Sequence, residues 1–577
     1  MQDIKLTENE AQIPKSIIVV IALLQGTALA YFYQGIENQM WPGTDLTWLT
    51  GLVTFFVSFP TLFLLIAGKN DFKAIIKTLL PFTILISCLG AYTGYQQSAF
   101  PDLFSTYFVF SFVTLIACFK AIMYIKLQAN QQAITYQSLF LASWRNAVIF
   151  AVSFLFTAIF FGILHLGAAL FDLLGIDLFT NLLREEWFWV PAITLAFSFA
   201  IHVFRKIIYL ADNISIILQT LMKFLLPILV LVSLGFLITL PFTGLDKLWE
   251  TRSGSFLLLW LTALSLFFVN AIYHKGNENK PYKILLHRFV LIGVLILPIF
   301  SVISAYGIFS RIGQYGFTPD RLWALSIWSI LTCFTLGYAV GILRFRDNWL
   351  LAQSKVNVGM GLLVLAFVLL VSSPILNFKA ISSNSQMARY YSGDISLEDI
   401  DIWYISRSLG KPGYQAMQTL KTEIADSDPE FVALINKQYR NLEKSTEQRN
   451  RIATKDVESQ AEITYWPNEQ TFNADLIDHL NETENHNRWT TAEFRLSIDL
   501  NEDGIKEYIT ILEYPRSAIA DLWYETGDGW GNTRVKIEIP DNKDLAYSFE
   551  HLEVKLQEPE YKIINVDGIV INVNAHR

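Results

Sequence analysis

Apolar residues run almost unbroken for about twenty positions at a time, and this recurs from Ser16 to Phe378. A helix rising about 1.5 Å per residue needs about 20 such residues to cross a hydrocarbon layer of about 30 Å, so each run predicts a membrane span. Eleven runs qualify: Ser16–Tyr33, Leu46–Gly68, Ala74–Tyr95, Phe104–Ile125, Asn146–Phe171, Trp187–Phe204, Phe224–Phe242, Ser255–Tyr273, Leu285–Tyr306, Leu322–Leu343 and Val356–Phe378. The first is read as a retained span rather than a cleaved signal, because Met1–Lys15 is more acidic than basic and no small-x-small site follows.

After Phe378 the pattern changes. Ile381–Gln386 is rich in Ser and Asn and reads as a short linker. Ser396-Leu-Glu-Asp399 resembles a capping box, and Ile400, Trp403, Ile405 and Leu409 follow at helical spacing. Gly410 stops that helix, Pro412 opens a second, and Asp428-Pro429 starts a third that runs to about Glu443 before a charged stretch. From about Ile463 the period becomes two. Phe494, Leu496, Ile498 and Leu500 alternate with Arg495, Ser497 and Asp499, which predicts a half-buried strand. Tyr508–Tyr514, Ile519–Tyr524, Arg534–Ile539, Phe549–Leu556 and Ile563–Val573 complete a mostly antiparallel sheet. The expected organisation is therefore an α-helical polytopic membrane domain over 1–378, a helical segment over 379–458, and a β-rich domain over 459–577. The last two form an α+β extracytoplasmic part.

Composition agrees. Hydrophobic residues make up 53% of 577 positions and charged residues 17%, with mean hydropathy +0.36; this is a membrane-protein composition. Residues 377–577 hold 21 Lys and Arg against 35 Asp and Glu, while the first 376 hold 23 against 17. The net charge of -8 thus hides a basic-edged apolar part and an acidic soluble part. That excludes a cytosolic enzyme, a disulfide scaffold and a basic nucleic-acid binder. Alternate span ends carry eighteen Lys and Arg, among them Lys69, Lys73, Lys126, Arg344 and Lys355, against Arg184, Lys247, Arg252, Arg311 and Arg321 on the others. Positive residues collect on the cytoplasmic side. The N-terminus is therefore expected inside and Lys379–Arg577 outside the cytoplasm, with Trp41, Trp48, Trp187, Trp189, Trp249 and Trp323 at the outer boundary.

Candidate chemistry is sparse. No run contains Asp or Glu, which argues against an ion-coupled carboxylate at the midplane. Arg145, His165, His202, Arg205 and Asn270 are the membrane polar candidates. His165 with His202 could relay protons or hold a headgroup, against the blander reading of interhelical hydrogen bonds. Cys88, Cys118 and Cys333 lie inside runs and read as small apolar residues. The sharp motif is Asp499-Leu-Asn501-Glu-Asp503-Gly504-Ile505-Lys-Glu507. Asp499, Asn501, Asp503, Glu507 and the Ile505 carbonyl offer the oxygens a structural Ca²⁺ needs, and Gly504 lets the chain wrap. Thr510 stands where an EF-hand has its bidentate acid, so the turn resembles the strand-flanked calcium loop of FG-GAP and dockerin-type repeats. Without metal, the same residues make a tight hairpin turn. His479 and His486 lack a third zinc ligand.

The chain as a whole resembles the bacterial multispan membrane proteins grouped as domain of unknown function 4153. The resemblance rests on Ser143-Trp144-Arg145-Asn146 leading into the fifth run, on the aromatic spans through Phe378, and on Met387-Ala-Arg389 and Leu397–Gly413. It implies a bacterial inner-membrane setting and no catalytic residues; with the C-terminus placed outside by the charge distribution, the C-terminal domain is expected to be periplasmic or extracellular. Three function classes follow: an envelope protein binding lipids or partner proteins through the outside domain, a lipid or polymer transporter without a membrane carboxylate, or a membrane glycosyl- or phosphotransferase. The last needs an acid on the first outer loop, where only Glu37 and Asp45 stand.

Overall fold

The computed structural model describes residues 13–97, 103–245, 248, 254–274, 281–454, 462–468, 472–483, 492–500, 506–514, 517–526, 529–535, 564–566 and 569–571. It falls into two compact units, Met1–Glu443 and Lys444–Arg577.

Among the described residues the bundle of the first unit contains the helices α1 Lys15–Glu37, α2 Leu46–Ile66, α3 Phe72–Gln97, α4 Leu103–Ala129, α5 Tyr136–Asp172, α6 Leu178–Arg184, α7 Glu186–Lys206, α8 Ile208–Thr243, α9 Gly254–Ile272, α10 Ile284–Leu295, α11 Leu297–Tyr315, α12 Pro319–Phe345 and α13 Leu350–Val371. Among the described residues, eleven stretches are long and apolar enough to cross a membrane, one for each predicted run. The edges differ where local chemistry intervenes. α5 begins ten residues before its apolar run, at a Thr135–Ser138 capping box, and reaches 37 residues. The ninth span, Ile284–Tyr315, is two helices. Pro298 has no N–H to offer the carbonyl four residues back, so the ladder breaks at Ile296. The eleventh span ends at Val371, because Ser373-Pro374 turns the chain into a short 3₁₀ segment, and Phe378 belongs to the next helix.

The buried side chains form two main cores. One joins α1–α5 and α7 through Ile18, Phe63, Ile66, Ile75, Leu79, Ile122, Ile149 and Ile201. The other joins α8–α13 through Leu226, Val230, Leu266, Val290, Phe300, Tyr338 and Trp349. α13 belongs to both, giving Leu350 to the second and packing Leu365 and Leu369 against the first. Helices touch most closely where side chains are smallest: a Cβ on Gly94 of α3 would collide with the Leu46 carbonyl at the start of α2.

The expected linker is instead helical. α14 (Phe378–Tyr391) opens on Asn377, whose Oδ1 accepts from the Lys379 and Ala380 N–H groups, and it swallows Ile381–Gln386 whole. Its serines are a docking face. Ser382 donates to the Phe317 carbonyl at 3.0 Å and Ser383 to the Pro412 carbonyl at 3.2 Å, and both are buried. A Ser/Asn-rich string reads as a linker only if those groups bond to water. α15 (Ile402–Ser408) starts at an Asp401 cap. The Ser396–Asp399 pair closes the turn before it, and the Ser396 hydrogen bonds hold the Asp399 carboxyl below its ordinary pKa. α16 (Gly410–Glu423) and α17 (Pro429–Thr454) follow, α17 running past Glu443. Met387, Ile405, Leu409, Met417, Leu420, Phe431, Ile435 and Tyr439 close a core among these helices.

This cap seats on one end of the bundle. Asn377 Nδ2 donates to the Tyr92 hydroxyl, Lys379 Nζ to Thr106 Oγ1 at 2.8 Å, and Gln386 and Arg389 to the carbonyls of Phe317 and Gln314. Lys411 Nζ lies 3.4 Å over the Tyr95 ring. The turn it grips passes through Gly316 at φ +72°, where a Cβ would also press on Arg389 Cδ.

The second unit carries a five-stranded sheet in the order β1 (Glu462–Trp466), β2 (Ala492–Ile498), β3 (Glu507–Tyr514), β4 (Ser517–Thr526), β5 (Gly529–Val535). It is mostly antiparallel, as expected, but β1 runs parallel to β2, joined through α18 (Ala474–Thr483), which takes in His479. β5 begins at Gly529, five residues before the strand predicted from Arg534. β6 (Ile564–Val566) and β7 (Ile569–Ile571) pair with each other within the last predicted strand. Phe549–Leu556 and His486 lie outside the described residues.

Candidate functional site

Among the described residues, a part-buried polar constellation gathers around Asn270, two residues before the end of α9. Its Oδ1 is approached by Tyr338 OH of α12 at 2.6 Å, Asn357 Nδ2 of α13 at 2.8 Å, Gln353 Nε2 of α13 at 3.0 Å and Tyr136 OH of α5 at 3.2 Å. Tyr338 OH also lies 2.5 Å from Asn357 Oδ1, and Tyr136 OH 3.0 Å from the Asn270 carbonyl. One amide oxygen has two lone pairs, so four donors compete for it, and each phenol has a second acceptor within reach. The knot thus has more than one way to satisfy its hydrogen bonds. It sits near the first residue of α5, the last turn of α9 and the first turns of α13, which is the Lys- and Arg-rich end of the bundle.

The knot also marks where the two cores meet. α5 carries Tyr136, stacks Phe140 on His274 at 4.3 Å beyond α9, and sets Trp144 against Phe267. Asn270 was legible as a candidate. Its partners were not, although Gln353 and Asn357 stand four apart on one face of the last span, and that spacing was the signal to use.

The other candidates separate. Arg145 is half-buried, nine residues beyond Tyr136 and so about 13 Å along α5 by helix rise. His165 is exposed and bonds through Nδ1 to its own helix at the Phe161 carbonyl. It does not meet His202. The two lie on helices joined through α6, seven residues before one end and sixteen after the other, an axial offset of about 13 Å.

Arg205 has a structural task. Its Nη1 donates to the carbonyls of Leu64 at 2.7 Å and Ala67 at 2.8 Å, closing the end of α2. Beside it Ser198 and His202, both buried, line a cavity of about 10 Å³ with Ile13, Ile18, Leu64 and Ile201. Ser198 Oγ and His202 Nε2 have no hydrogen-bond partner among the described residues, and the space suits one bridging water.

In the second unit, Asn501, Asp503 and Ile505 of the calcium motif lie outside the described residues. The flanks are as expected: Asp499 and Glu507 frame an antiparallel hairpin in which Ile498 faces Glu507. Glu507 Oε2 accepts from the Leu500 N–H at 2.7 Å. No cluster of three or more His, Cys, Asp or Glu side chains able to hold a metal occurs among the described residues.

β2 departs furthest from expectation. Arg495 and Ser497, read as the solvent side, are as buried as Phe494 and Leu496, and so is Glu493 on the same face. Arg495 Nε donates to Glu493 Oε1 at 2.5 Å and Nη1 to the Tyr465 hydroxyl at 3.0 Å, on the face where Leu476, Leu480 and Trp523 pack. Burial disfavours the guanidinium's charge, but Glu493 and Tyr465 outweigh it, and the pKa lies above its ordinary value. Alternation cannot see this. A strand covered by α18 buries its polar face too, and must pair the charges there.

A family model described as "Domain of unknown function (DUF4153)" matches residues 44–420, from the start of α2 to the third cap helix. No curated protein and no solved structure matches.

Proposed function

Because the chain belongs to the DUF4153 family, whose description names no activity, we propose from its own geometry that it is a non-enzymatic envelope protein of the bacterial inner membrane. In this reading it binds lipids or partner proteins and displays its acidic C-terminal residues outside the cytoplasm. One observation carries the reading. The cap is hydrogen-bonded to the bundle end opposite the Lys- and Arg-rich one, through Tyr92, Thr106, Gln314 and Phe317. Its polar side chains fasten a platform there rather than converge on a reaction centre. One of the two outer-loop acids a transferase could use is also committed: Asp45 caps α2 by accepting from the N–H groups of Thr47 and Trp48.

Orientation is the first test. In a chain whose three cysteines are replaced by alanine, a membrane-impermeant maleimide applied to intact spheroplasts is expected to label Glu398→Cys in the cap. It should spare Gln128→Cys at the other end of the bundle until the membrane is opened. The reverse pattern refutes the placement. The Asp499–Glu507 turn is read as a structural Ca²⁺ loop that braces the β2–β3 hairpin. Titration of the purified protein is expected to give heat and a raised melting temperature at millimolar Ca²⁺ or below, both abolished in Asp499→Asn/Asp503→Asn; no heat and no effect of chelator sinks it.

The second reading, a lipid or polymer transporter without a membrane carboxylate, is favoured by the two cores and by the knot's interchangeable hydrogen bonds where they meet. Two bodies joined by a polar contact with more than one bonding pattern are what a rocking motion needs.

A further inference from the structure

α1, α2, the turn between them and the first residues of α7 enclose an open groove of about 500 Å³. Its walls include Leu24, Tyr31, Trp41, Leu52, Phe56 and Trp187. The polar atoms along it are turned inward. Thr27 Oγ1 bonds to the carbonyls of Leu23 and Leu24, and Tyr31 OH donates to the Trp41 carbonyl, pinning the turn. Phe32 meets Phe56 edge-on at 5.5 Å and closes the floor. What remains is hydrocarbon and ring surface, with Leu24 62%, Trp41 54% and Trp187 46% exposed.

Three observations fix the occupant. The groove opens sideways from helices that qualify as membrane spans, so its surroundings are lipid. Trp41 and Trp187 stand at its rim, where tryptophans sit at headgroup level, and Leu24 and Phe56 lie about 15–20 Å further in by helix rise. That reaches about the middle of a hydrocarbon layer of about 30 Å, the depth of one leaflet. A flexible hydrocarbon chain can follow these uneven walls inside about 500 Å³, whereas a helix about 10 Å across would stand mostly outside the groove. We propose that the groove is a binding site for one acyl chain of a phospholipid from the leaflet at the Trp41 end. The site does not depend on which side of the membrane that leaflet faces, so it stands or falls separately from the orientation above.

The full-length protein is purified through a delipidating detergent step and analysed intact by native mass spectrometry. The wild type is expected to keep about one phospholipid per chain. Thr27→Trp, which fills the groove, should lower that occupancy at least fivefold, whereas Leu231→Trp on the exposed face of α8 should leave it unchanged. Trp41→Ala opens the rim without adding bulk and should lower occupancy as well, which covers the case in which Thr27→Trp does not fold. The proposal is overturned if the wild type keeps no phospholipid, if the retained mass is an isoprenoid or a polypeptide, or if Trp41→Ala and a folded Thr27→Trp retain as much as Leu231→Trp.

Discussion

Arg495→Leu is expected to destabilise the five-stranded sheet by about 3–5 kcal/mol, the usual cost of stranding one member of a buried ion pair. Glu493 and Arg495 are 0% and 1% exposed, so the carboxylate left behind has no water to turn to. The Tyr465 hydroxyl loses its donor at the same stroke. Glu493→Leu/Arg495→Leu removes both charges and should recover most of the loss, because the desolvation penalty disappears with the pair. Glu493→Gln alone, which keeps an acceptor beside the guanidinium, should fall between. Limited proteolysis of the full-length protein in detergent reads the result as faster cleavage within 462–535 while the membrane fragment persists. Equal cleavage of the single and double variants would show that the pair is not what holds β2.

Asn270→Leu is expected to cost the bundle about 2–3 kcal/mol. The leucine has nearly the same size, so packing changes little, but the hydroxyl of Tyr338 and the amide groups of Gln353 and Asn357 lose their common acceptor. Interhelical hydrogen bonds in membranes average about 0.6 kcal/mol each, with a maximum near 1.7. Several failing together give the larger figure. Tyr136→Phe, which removes the most distant donor at 3.2 Å, should cost under about 1 kcal/mol. Thermal melting in a fixed detergent ranks the variants. If the cores rock against each other, Asn270→Leu should also increase thiol accessibility along α5 near Tyr136, which a purely structural loss spread over the bundle would not single out.

The spans were legible because hydrocarbon solvation acts on every residue of a run in the same way. Leu46 opens α2 and Trp187 lies at the start of α7 as the apolar pattern requires. Edges depended on single groups that averaging hides, such as the missing N–H of Pro298 or the Thr135 cap. The polar face of β2 and the serines of α14 misled for a shared reason. A polar side chain states that it needs a hydrogen-bond partner, and says nothing about whether that partner is water or protein. Ser382 finds the Phe317 carbonyl 65 residues away, and Asn270 finds Tyr136 across 134; such pairings follow from tertiary packing, which no local window contains.

The position of α13 in both cores bears on biogenesis. The ribosome delivers it last among the spans, after α1–α5, α7 and α8–α12 have entered the bilayer. Until then the first core lacks Leu365 and Leu369, the second lacks Leu350, and Asn270 faces neither Gln353 nor Asn357. A chain truncated before residue 350 would therefore hold two unfinished bundles side by side, a natural substrate for membrane proteases. α13 acts as the keystone of assembly, and the cap follows it from the ribosome to seat on helices already in place.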